Sequence, residues 1–107
     1  METELRAWLI DTLDFMIEQL NQAKQPSEQA IAVDAVQGLL PYLRARLKED
    51  AVMATHFALA LGDWVEPGHS KRVWRELANK PADIFVGEVD DIIEQLTALR
   101  DVVRAVR

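Results

Sequence analysis

Seven apolar residues, Phe85, Val89, Ile92, Leu96, Leu99, Val103 and Val106, step along the chain by 4, 3, 4, 3, 4 and 3. That rhythm is the heptad seam of a helix that hides one stripe against its neighbours. It predicts a long C-terminal helix over 83–106, with Val89, Leu96 and Val103 at the a positions and the other four at d. Val86, Ile93 and Val102 flank the seam and widen it. A widened seam belongs in a bundle of three or more helices, and Val and Ile at both kinds of position disfavour a two-stranded zipper. Burying seven such residues contributes on the order of 10–20 kcal/mol. Ordering about two dozen residues costs more than that, so this helix requires other helices around it.

The same segment is electrically polarised. Asp83, Glu88, Asp90, Asp91 and Glu94 load its first half, and Arg100, Arg104 and Arg107 its last. The helix macrodipole accounts for this arrangement, at about 0.3–1 kcal/mol per favourable charge. A competing account lays the acidic half of one copy against the basic half of a second. The dipole is preferred because such matching is common in helices.

The rest of the chain reads as shorter helices. Leu5, Leu9, Leu13, Met16 and Leu20 predict a helix over 3–23, and Trp8, Ile10, Phe15 and Ile17 spread its apolar surface over more than half the circumference. Such a helix is either central in the fold or shared with a second subunit. Ser27 is the expected N-cap of a helix over 27–37, with Val33, Val36 and Leu40 as its stripe and Gly38 as its stop. Pro41 suits the first position of another helix over 41–61, which carries Leu43, Leu47, Ala51, Ala54, Ala58 and Leu61 and stops at Gly62. The competing reading joins these two into one helix kinked at Pro41. Residues 62–69 form an irregular stretch, and Ser70 caps a short helix over 71–79 with Val73, Trp74 and Leu77 inward. The expected fold is all-α: a single helical domain over 1–107, a compact bundle of four to five helices.

Composition narrows the function classes. The 107 residues carry a net charge of −6, and half of them are apolar, which suits a globular chain. With no cysteine there is no disulfide, thiol nucleophile or cysteine metal site. No apolar run is long enough to span a membrane, and Glu2 and Glu4 stand where a secretory leader would carry Lys or Arg. A soluble, cytoplasmic protein is expected, and its acidity disfavours bulk nucleic-acid binding.

Candidate chemistry is sparse. His56 falls within a helix, and His69 lies near Asp63 and Glu66 on the irregular stretch, with no zinc-type spacing such as H-E-x-x-H. Ser27 and Ser70 read as caps, and neither a nucleophile elbow nor a glycine-rich phosphate loop occurs. Glu49-Asp50 and Asp90-Asp91 are adjacent residues, which point apart on a helix. Glu88 and Asp91 share a face, but nothing matches them elsewhere. Glu4, Asp11, Asp14 and Glu18 form an acidic stripe, which could imitate a nucleic-acid backbone but also suits an ordinary solvated face. No catalytic residue, metal or cofactor is expected.

Two features point to binding instead. Trp64 either plugs one end of the bundle or serves as an aromatic anchor for a partner. Lys71, Arg72, Arg75 and Lys80 stand against the single acid Glu76. The nine residues from Gly62 to Ser70 are too long a connection for a helix-turn-helix, which uses about 3–4. The expected partner-binding residues are therefore Trp64, His69, Arg72 and Arg75. Phe15, Ile17, Ile93 and Val102 are the expected homodimer interface. The sequence reads as a non-enzymatic interaction protein (adaptor, assembly factor or regulator), probed by a protein partner of unknown identity. The alternative is a nucleic-acid-binding regulator using residues 71–80.

Overall fold

In the computed structural model, residues 1–60 and 89–107 are described, with the backbone alone over 56–60. The leucine rhythm of the first segment becomes α1 (Thr3–Gln22), whose buried residues are Leu5, Leu9, Leu13, Met16 and Leu20. Ala23 follows, itself buried, and its N–H donates to the Gln19 carbonyl at 2.9 Å. The chain then reverses through tight turns, with Gln25 N–H on Gln22 O and Glu28 N–H on Gln25 O.

The second helix corrects the expected division. α2 runs unbroken over Gln29–Leu47, straight through Gly38 and Pro41. Glu28 occupies the N-cap position and makes no side-chain capping bond, so Ser27 is not the cap. Val33, Val36, Leu40, Leu43 and Leu47 are all buried, and their spacing of 3, 4, 3 and 4 forms one stripe across both helix breakers. Burial of that stripe outweighs the local preference of Gly and Pro to stop a helix. Pro41 lies on the exposed side, although it still lacks an N–H to donate. Of the two readings open from sequence, continuation through Pro41 is observed, but the helix ends at Leu47 and does not run on to 61.

The chain breaks instead at 48–50. Asp50 accepts a hydrogen bond from the Met53 N–H at 3.0 Å, which is N-cap geometry for α3 (Ala51–Ala60). Three non-helical residues shift the phase of the stripe. Leu47 is buried, Ala51 is exposed, and Met53 takes the inward position. Replacing Asp50 by Ala should lower the unfolding free energy by about 1 kcal/mol. Urea titration followed by circular dichroism measures it, and Asp50→Asn, whose side-chain oxygen can accept the same bond, should avoid most of the loss.

α4 (Val89–Ala105) buries Val89, Ile92, Leu96, Leu99 and Val103, all of them seam positions. Phe85 and the expected helix start at 83 lie outside the described residues, as do the irregular stretch 62–69 and the helix over 71–79. α1 packs against both α2 and α4, and α3 packs against α4 and α2. Among the described residues each of the four helices packs against two others, so α1 is flanked on two sides without being more central than the rest. Among the described residues there is no strand, every buried side chain is apolar, and no helix is long and apolar enough to cross a membrane.

Candidate interaction surface

Charged side chains tie α1 to its neighbours along both edges. On the α2 edge, Arg46 Nη2 donates to both carboxylate oxygens of Glu4, at 2.8 and 3.0 Å. The same guanidinium lies over the Trp8 ring, 5.2 Å from its centroid, and its Nε is 3.2 Å from Glu49. The Glu4 hydrogen bond raises the Arg46 pKa above its ordinary value. On the α4 edge, Arg100 pairs with Asp14 and Lys24 with Asp90, each at 2.8 Å. Arg6 donates to the carbonyls of Val103 and Val106, placing a cation at the C-terminal end of α4. These pairs, each with at least one solvent-exposed partner, set helix register more than they add stability. Both helices beside α1 therefore run antiparallel to it.

This arrangement accounts for charges that sequence reading assigned elsewhere. Asp90 at the start of α4 reaches Lys24 and Arg100 further along reaches Asp14, while Asp91 and Arg104 stand in its first and last turns, where the macrodipole favours them. Two of the four acids in the α1 stripe, Glu4 and Asp14, are likewise engaged by cations of neighbouring helices. Among the described residues no three His, Asp or Glu side chains converge to hold a metal ion.

Apolar surface remains in view at specific places. Ile31 is 73% exposed, Tyr42 65%, Val52 48% and Phe15 43%. Ile31, Ala35, Gly38 and Tyr42 fall within about 60° of the α2 circumference, on the side away from its buried stripe. Phe15 lies on the edge of α1 that carries Glu4 and Trp8, the side toward α2. The register that brings Arg46 to Trp8 brings Leu39, two turns back, level with Phe15, two turns on.

The chain matches no known family model, no curated protein and no solved structure. The surface must therefore be read from its own residues. Of the expected dimer residues, Ile17, Ile93 and Val102 are only partly buried and pack against this chain's own core. Phe15 is the one that stands out to solvent. Phe15 and Ile17 lie on opposite edges of α1, two residues apart, so the four do not share one surface. Trp64, His69, Arg72 and Arg75 lie outside the described residues. His56 falls within α3.

Ile31 and Tyr42 were missed by sequence reasoning. A division at Gly38 and Pro41 puts them on different helices. Counted along one helix they are eleven residues apart, about three turns, and share a face.

Proposed function

We propose that this chain is a small, non-enzymatic helical interaction protein, an adaptor, assembly factor or regulator, that works as a cytoplasmic homodimer. We read its fold as a compact bundle of four to five helices closed by the heptad-patterned helix over 83–106, a reading supported by the buried seam from Val89 to Val103. The observation that carries the function is the set of exposed large apolar residues on helices whose inward stripes are already buried. Surface of this kind, when contiguous, is where proteins associate. Trp64, His69, Arg72 and Arg75 remain the candidates for a protein partner.

Sedimentation velocity at micromolar concentration tests the reading: a species of twice the 12.1 kDa chain mass is expected. A single-chain species throughout would sink the homodimer. The second reading, nucleic-acid binding, rests on the cluster Lys71, Arg72, Arg75 and Lys80. It is favoured instead if a short duplex binds at low salt, releases as salt rises, and is weakened by Arg72→Ala.

A further inference from the structure

We propose that the outer face of α2 is the self-association surface, and that a second copy of the chain docks on it antiparallel about a two-fold axis passing between residues 36 and 37. This rests on the homodimer reading above and names its interface. The face reads Ile31, Ala35, Gly38, Tyr42, with spacings of 4, 3 and 4 that are the same from either end. Its ends are large and its middle is small. The two-fold sets Ile31 against the partner's Tyr42 at each end and Ala35 against the partner's Gly38 in the middle. An isologous contact requires this self-complementarity.

Three further observations select a second copy as the occupant. The first is area. The exposed parts of Phe15, Ile31 and Tyr42 amount to on the order of 350 Å² of apolar surface per copy. Two copies bring together about 700 Å² of apolar surface, so a polar rim of about 300 Å² completes the roughly 1,000 Å² that a specific interface needs. The second is charge. Glu28 stands at the N-cap of α2 and Asp34 in its first half, while Arg44 lies in its last turn and Lys48 at its C-cap; Arg46 is held by Glu4 and Glu49 of its own chain. Antiparallel docking brings the acidic start of each copy to the basic end of the other, whereas parallel docking opposes like charges. Between residues 29 and 43, Asp34 is the only charged side chain.

The third is Gly38. A Cβ built there meets no atom of the described residues within 4 Å, so nothing among them requires glycine at that point. A glycine facing outward in mid-helix lets another backbone come close.

The test uses the full chain in sedimentation over about 1–200 µM, because dimer content follows concentration by mass action. The wild type should dimerise. Gly38→Leu extends a side chain into space that is open in the monomer, so circular dichroism should show an intact fold. The same variant should weaken the dimer by about 30-fold or more, as should Tyr42→Glu. The chain has no cysteine, so introduced thiols report cleanly. Mixed Ala35→Cys and Gly38→Cys chains should link to each other faster than either links to itself. A folded Gly38→Leu chain that dimerises like the wild type overturns this interface and leaves the homodimer reading standing. A wild type that is monomeric at every concentration overturns both, and assigns the face to another segment of the chain or to an unrelated protein.

Discussion

Truncating Leu13 to alanine is expected to lower the unfolding free energy by about 2–5 kcal/mol. Leu13 is fully buried near the middle of α1, the helix that packs against both α2 and α4. Removing its isobutyl group loses transfer free energy and leaves a space that helices on both sides can close only in part. A domain of this size has about 5–15 kcal/mol in total, so one substitution removes a large share of it. The melting temperature should fall by about 4–8 °C for each kcal/mol lost. Leu13→Met, which keeps the volume, should cost less than about 1.5 kcal/mol. Urea denaturation at a dilution where the chain is monomeric separates these effects from any change in association. A loss under about 1 kcal/mol for the alanine variant would show that Leu13 is not enclosed between α2 and α4.

The inward faces of α1 and α4 were legible because each carries an uninterrupted helical rhythm of large apolar residues. Leu5 to Leu20 and Val89 to Val103 are buried in the phase that their spacing implies. α2 was not legible in the same way. Gly38 and Pro41 act on local backbone preference, whereas the stripe from Val33 to Leu47 acts through packing that exists only once α1 is in place. The Asp50 cap was hidden for a related reason: placing a helix start at Pro41 put Asp50 in a helix interior, where an acid looks like part of a solvated face. The partners of the α4 charges depend on register. No rule along one chain tells that Arg100 will meet Asp14, because that follows from which helix lies alongside and in which direction. The candidate surface inherits the α2 error, since Ile31 and Tyr42 share a face only if the helix continues between them.

Replacing Pro41 by alanine is expected to stabilise the folded chain by about 2 kcal/mol. Proline in a helix interior costs about 3 kcal/mol relative to alanine, and part of the gain is returned because alanine leaves the unfolded chain freer by about 0.4–1 kcal/mol. Pro41 is exposed, so no core contact is lost with its ring. Gly38→Ala should add about 0.5–1 kcal/mol, because a methyl group there meets nothing among the described residues within 4 Å and lowers the entropy of the unfolded chain. Both should be measured by urea unfolding at a dilution where the chain is monomeric. If the core were shaped around a bend at Pro41, Pro41→Ala would cost stability instead, and this account of α2 would fail. The two residues least suited to a helix thus sit three positions apart on the exposed side of α2. Among the described residues no atom lies within 4 Å of a Cβ built at Gly38. Stability given up on a surface is a common signature of function. The two effects of Gly38→Ala should therefore have opposite signs: a more stable monomer and a weaker dimer. Gains in both would separate the glycine from the interface and place the reason for its presence elsewhere.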